Sequence, residues 1–146
     1  LREEREMTEL KFTAAADAVE PTFAYEGDAG MDLAVLGTHT LQPNERRDLP
    51  TGVAIQLPVG HYARLVGRSS TLRKRGLFVF EGIIDQGYRG PLFVFVENKT
   101  SEEVIVWEGS RIAQIIVQPI VQPALVKVEA LDDSERGAKG FGSSGL

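Results

Sequence analysis

The chain contains no cysteine. Disulfides and thiolate metal sites are therefore excluded, and the absence fits a reducing, cytoplasmic compartment. Histidine is nearly as scarce. His39 and His61 are too few for a typical His-rich zinc site. No apolar run approaches the roughly 20 residues that a membrane helix needs, and the charged N-terminus has no apolar core of the signal-peptide kind. Basic residues are in deficit, with a net charge of −5. General affinity for nucleic-acid polymers rests on basic surface and is not expected. A small anionic ligand needs only a local cluster of donors, so it stays open.

What is present fits one globular domain. Hydrophobic content is 42% and charged content 25% in 146 residues, enough for a single core. The opening LREERE is either native or left over from expression and carries no weight for the fold. Residues 1–11 read as an N-terminal extension, 12–130 as a β-rich domain and 131–146 as a flexible C-terminal arm.

Strand signals dominate the middle. VAIQL (53–57), HYARLV (61–66), LFVF (77–80), LFVFVEN (92–98), VIVW (104–107), IAQIIVQPI (112–120) and ALVKVEA (124–130) are short and rich in β-branched or aromatic residues. Glycine and proline separate them at short intervals. The pattern predicts an all-β fold, a sandwich or a jelly-roll-like barrel. One short helix is expected, with Ser69 and Ser70 as caps, TLRKR as its body and Gly76 as its stop. The tail DDSERGAKGFGSSGL is rich in Gly and Ser, and its single aromatic is Phe141.

Five stretches carry residue types suited to chemistry. In AGMDLAV, Asp32 follows a glycine at a strand entrance. In GRSSTLRKRG, Arg68 offers a bidentate fork, Ser69 and Ser70 offer hydroxyls, and the helix start offers free N–H groups, which together suit an anion. In EGIIDQGYRG, a hairpin closing near Glu81-Gly82 is expected, then a second turn at Gln86-Gly87. Its backbone groups could read the edge of a planar base, and Asp85 and Tyr88 could face one cavity. Asp85 can equally be an Asx-turn residue and Tyr88 a half-buried strand aromatic. In GSRIAQIIV, Gln114 is a polar amide among apolar neighbours, facing either solvent or a ligand. In ERGAKGFGSSG, glycines let the backbone wrap an anion, Arg136 and the hydroxyls suit phosphate, and Phe141 suits stacking on a base.

Taken in order, AGMDL, GRSS, GIIDQGYRG, GSRIAQIIV and RGAKGFGSSG resemble the five motifs of the homotrimeric dUTP diphosphatases, the dUTPases. The resemblance spans the chain from about Phe12 onward. It implies a jelly-roll β fold and a homotrimer with three shared sites, each closed by a C-terminal arm. It also implies hydrolysis of dUTP to dUMP and pyrophosphate with Mg²⁺ held mainly by the triphosphate. That reaction limits uracil incorporation into DNA and supplies dUMP for dTMP synthesis. On the same ground Asp85 is expected to activate the attacking water, and Tyr88 to pack on the deoxyribose and exclude a 2′-hydroxyl. The segment from about Phe78 to Ile84, including Gly82 and Ile84, would read uracil through its backbone. Arg68, Ser69, Ser70 and Gln114 would hold phosphate oxygens, with Asp32 an indirect supporter of the Mg²⁺ environment. From the arm, Phe141 would cover the base, and Arg136, Gly142, Ser143 and Ser144 would close on the phosphates. Such chemistry needs positioning and charge neutralisation more than covalent help.

The chain departs from the family pattern at three points. Gly67-Arg68-Ser69-Ser70 stands where Pro-Arg-Ser-Gly is common, Ser144 replaces a frequent Thr, and Glu81 occupies a usually small or neutral position beside the base-reading segment. GRSS also resembles the dCTP deaminases, relatives on the same fold. In those enzymes the catalytic Glu precedes an aromatic and an Asn by a spacing that falls here on Phe95, and Glu97 is read as facing away. The GFGSSG arm resembles dUTPases and not deaminases. A third reading, from another class, is a nucleotide-binding regulatory protein.

Overall fold

The structure is a computed structural model and describes residues 8–142. Two four-stranded antiparallel sheets pack face to face. Sheet A has the order β1 (Lys11–Ala14), β4 (Arg46–Gln56), β8 (Pro91–Asn98), β6 (Leu77–Val79). Sheet B has the order β2 (Met31–Ala34), β10 (Arg111–Pro119), β5 (His61–Gly67), β7 (Gly82–Ile84). A small third sheet pairs β3 (His39–Leu41) with β9 (Val104–Val106). The all-β, jelly-roll-like expectation holds. No helix among the described residues is long and apolar enough to cross a membrane.

Alternation explains the sandwich. Leu49, Val53 and Ile55 on β4 point inward with Leu92, Val94 and Val96 on β8, and meet Leu33, Ala63, Leu65 and Ile115 from sheet B; all are buried. Two interruptions of the ladder matter more than its regular parts. Pro50 lies inside β4 and has no N–H to give, and the β4–β8 register shifts between Pro50 and Ala54. There the Thr51 hydroxyl donates to Leu92 O at 2.8 Å. The second is a bulge in β10 between Arg111 and Ala113. Ile112 and Ala113 are both buried in succession, so Gln114 emerges on the same outward side as Arg111.

The expected helix is α1 (Ser69–Arg75), which links β5 to β6, but Ser69 and Ser70 are its first two residues and not its caps; Arg68 is the N-cap. Gly76 ends it in the left-handed region, φ 67°, with its N–H on Leu72 O at 2.9 Å. The buried Thr71 hydroxyl donates to Ile112 O at 2.7 Å and accepts from Arg68 N at 3.2 Å. One side chain thus ties the helix start to the bulge of β10.

Three more expectations are corrected. First, β6 and β7 do not form a hairpin. β6 pairs with β8 and β7 with β5, so Phe80-Glu81 carries the chain from one sheet to the other. Second, ALVKVEA at 124–130 is no strand within the chain. Leu125 is 95% and Val126 77% exposed. A strand needs a ladder partner, and the described part of this chain offers that segment none. Third, Glu97 does not face away from Phe95. The two are two residues apart and share the outward face of β8. The Glu97 carboxylate is bound there by Lys99 and by Arg46 Nε at 2.6 Å. Both cations hold it below the usual carboxylate range, Lys99 more strongly.

Candidate active site

The Ile112 bulge builds the first half of the site. It sets Arg111 opposite Ala34 and Gln114 opposite Asp32, so both polar side chains share the face that carries the aspartate. Asp32 is buried, and its N–H bonds Thr22 O at 2.8 Å. Its Oδ1 lies 3.1 Å from Arg68 Nε, and its Oδ2 lies 3.9 Å from Arg111 Nη1. Oδ2 has no hydrogen-bond partner among the described residues. Arg68 also donates from Nη1 to Arg111 O at 3.0 Å, which locks its guanidinium against β10. Gln114 donates to Gly67 O at 3.2 Å. Its Oε1 points at Gly30, where a Cβ would overlap it, so the glycine of AGMDL is there for close approach.

Gly30, Asp32, Arg68 and Gln114 line an open cleft of about 300 Å³ with Ser69, Tyr25 and Asp28. Tyr25 and Asp28 belong to a turn in which Asp28 Oδ2 accepts Tyr25 N–H at 3.0 Å. The cleft brings together Asp32, Arg68, Ser69 and Gln114 as expected. Ser70 is half-buried in the first turn of α1 and is not among its lining residues. Arg111, Thr71 and Tyr25 were not singled out in the sequence. Arg111 stood in a quoted motif and was legible as a second cation beside Gln114. Thr71 and Tyr25 gave no signal, because their places depend on the bulge and on a loop.

The second half lies elsewhere. Gly82, Ile84 and Tyr88 line a separate cleft of about 270 Å³ with Phe80, Glu81, Phe93 and Phe95. Ile84 is buried, so its side chain serves the core and its backbone is what can face a ligand. β7 is an edge strand, paired on one side with β5, which leaves backbone donors and acceptors along its outer edge. Tyr88 folds back so that its hydroxyl donates to Pro91 O at 2.9 Å, and its ring occupies the space a Cβ on Gly90 would need. Glu81 does not project freely into the cleft, because its Oε1 accepts from Arg64 Nε at 2.6 Å.

Asp85 sits in the expected turn. Tyr88 N–H bonds Asp85 O at 3.1 Å, with Gln86-Gly87 at its centre. Gln86 Oε1 accepts Gly60 N–H at 2.7 Å, and Arg89 donates to Gln86 O at 2.8 Å, so the turn is held from both sides. The Asp85 side chain is exposed and lines neither cleft. The single chain therefore does not bring Asp85 and Tyr88 into one cavity. No residue lines both clefts.

The arm stands apart from both. Its Arg136 is turned on its own chain, donating to Lys139 O and Gly140 O at 3.0 Å each. Phe141 is fully exposed, and Gly142 has a φ of 81°. Ser143 and Ser144 lie outside the described residues.

Comparison with known proteins agrees with the motif order. The dUTPase family model matches residues 16–145. A deoxyuridine 5'-triphosphate nucleotidohydrolase of Leifsonia xyli subsp. xyli is 46% identical over 128 residues, covering 86% of this chain and 84% of that protein. One from Clostridium novyi is 42% identical over 131 residues, covering 88% of this chain and 92% of that protein. Among solved structures, the dUTPase of Staphylococcus bacteriophage 80alpha with dUPNHPP superposes with a TM-score of 0.90 at 30% identity, covering 96% of this chain and 100% of that one. With its motifs in order, its two-sheet sandwich and these relatives, the chain belongs to the dUTPase family.

Proposed function

We propose that this protein hydrolyses dUTP to dUMP and pyrophosphate in sites assembled from three copies of the chain. The observation that carries the assembly is the separation of the two clefts. One holds cations and an amide suited to phosphate, the other an edge strand and an aromatic suited to a nucleoside, and no residue is common to both. A ligand with both parts is gripped when one copy's Asp32–Arg68–Gln114 cleft meets another copy's Gly82–Tyr88 cleft. The exposed apolar segment from Val121 to Leu131 is accounted for in the same way, as a strand that finds its ladder partner on a neighbouring copy.

In this reading the β7 edge, at Gly82 and Ile84, hydrogen-bonds the uracil, and the Tyr88 ring packs on the deoxyribose. Arg68, Ser69 and Gln114 bind phosphate oxygens in the one cleft, and Ser70, outside its lining, binds from the next position of the helix turn. Asp85 accepts a proton from a water, whose oxygen bonds to the α-phosphorus as the bond to the bridging oxygen breaks and pyrophosphate leaves. Residues 131–146 act as an arm. Arg136 exchanges its own-chain carbonyls for phosphate, Phe141 covers the base, and Gly142, Ser143 and Ser144 close on the phosphates and exclude bulk water.

The residues present fit a magnesium ion held mainly by the substrate. No cluster of three His, Asp or Glu suited to a metal occurs among the described residues, while Asp32 lines the phosphate cleft with one oxygen unpartnered. An ion bound with the triphosphate supplies charge neutralisation there. A cytoplasmic location completes the reading. The test is incubation with dUTP, dCTP, dTTP or UTP plus Mg²⁺, following pyrophosphate and ammonia. Pyrophosphate from dUTP alone is expected. Ammonia from dCTP would favour the deaminase reading, and tight dUTP binding without turnover the regulatory one.

A further inference from the structure

Glu81 is the family departure nearest the nucleoside cleft, and the structure gives it a partner that the sequence did not suggest. Arg64 lies on β5 opposite Ile83 of β7 and opposite Ile116 of β10. Its register places it on the outward face of sheet B, away from the inward Ala63 and Leu65. From there its Nε holds Glu81 Oε1 at 2.6 Å. Both side chains are more than a third exposed, and such pairs add little to stability. Stability is therefore a poor reason for the pair, and the place of Glu81 in the lining of the cleft is a better one.

A carboxylate accepts hydrogen bonds and donates none. Uracil and cytosine differ at position 4, where the first presents a carbonyl acceptor and the second an amine donor. A free carboxylate beside the reading edge would repel the carbonyl and attract the amine. We propose that Arg64 is a specificity-determining residue, which keeps the Glu81 carboxylate occupied and so preserves discrimination against an amine-bearing pyrimidine. The proposal rests on the reading of this cleft as a uracil site. An exposed carboxylate is charged at neutral pH with or without a partner and so needs masking; Arg64 also holds Glu81 below the usual carboxylate range.

The test is a double-mutant cycle on the full chain, reading kcat/KM for dUTP and the inhibition constant of dCTP, with thermal melting to verify folding. Arg64→Gln is expected to lower the ratio of dUTP to dCTP preference by about 10-fold, the scale of one mismatched polar contact. Arg64→Lys keeps a cation and should hold the wild-type ratio. Arg64→Gln combined with Glu81→Gln should return it close to wild type, because no charge is left to mask. An unchanged ratio in Arg64→Gln overturns the proposal. So does a double variant as impaired as the single, which would make Arg64 act on its own; if the single fails to fold, a lost wild-type ratio in Arg64→Lys or in the double variant overturns it instead. Absence of dUTP turnover in the wild-type chain overturns the functional reading itself, which separates the two failures.

Discussion

At the scale of single residues, the site depends on groups whose neighbours leave them few alternatives. Asp85 is presented by a turn pinned through Gln86 and Arg89, and its carboxylate is free of partners in that turn. Asp85→Asn should keep dUTP binding by calorimetry and lower turnover by about 10²–10⁴-fold, the range for a lost general base. Near-normal turnover would remove Asp85 from that role. Gly30 is filled from the other side by Gln114. Gly30→Ala should push the amide out of the cleft it shares with Asp32 and Arg68 and lower kcat/KM for dUTP by about 10-fold or more, the equivalent of one hydrogen bond to a charged group. An unaltered kcat/KM would show that Gln114 does not need its present position. Glu97 makes a pH prediction. Its carboxyl is held below its ordinary value by Lys99 and then Arg46. A depressed folded value means the contribution is complete above the unfolded pKa of about 4.3 and is lost as pH falls through the lower folded value. The melting-temperature gap between wild type and Glu97→Gln should therefore be constant above about pH 5 and shrink below about pH 4. A gap that widens on acidification would contradict the pairing.

At the scale of elements, irregular features position the chemistry more than regular ones. The β10 bulge turns Gln114 to the side of Arg111, and Thr71 spans from α1 to the bulged Ile112. Thr71→Val keeps the shape but leaves Ile112 O and Arg68 N unserved in a buried setting. It should cost about 1–3 kcal/mol in urea denaturation and raise KM for dUTP as Arg68 loses its anchor. A loss of stability with KM unchanged would make Thr71 purely structural. The crossing at Phe80-Glu81 has similar weight. It leaves β7 as an edge of sheet B, with backbone available to a ligand, where a hairpin would have consumed one side of it.

At the scale of the whole molecule, one chain folds a complete core and two clefts with no residue in common. The body should therefore survive loss of the arm. Truncation after Ala130 should leave a folded protein with wild-type melting behaviour and sedimentation near three times 16.0 kDa, less the arm. Its kcat/KM should fall by about 10²-fold or more if the arm closes the site and excludes water as proposed. A truncated chain that unfolds, or one with full activity, would contradict the division of labour. The segment 121–130 is retained in that variant because its exposed Val121, Leu125 and Val128 are what a neighbouring copy would cover.

Much of this was legible in the residues. Alternating β-branched strands, the short helix stopped by Gly76 and the turn at Gln86-Gly87 follow from local physics, because each depends on side chains and φ angles a few residues apart; the serine caps do not, since the N-cap is Arg68 and Thr71 serves its N–H. The candidate chemistry of Asp32, Arg68, Asp85, Tyr88 and Gln114 was likewise readable from residue type, spacing and motif order. What the sequence by itself could not decide was pairing. Whether Leu77–Val79 joins Gly82–Ile84 or Pro91–Asn98, and whether 124–130 finds any partner, is settled by competition for ladder hydrogen bonds across the whole sandwich. The same holds for the extra residue at Ile112, which exists only relative to the strands on either side, and for Arg64, which reaches Glu81 because two distant strands come into register. Local chemistry named the groups, and tertiary structure divided them between two clefts, since only the packed sheets determine which face each strand presents.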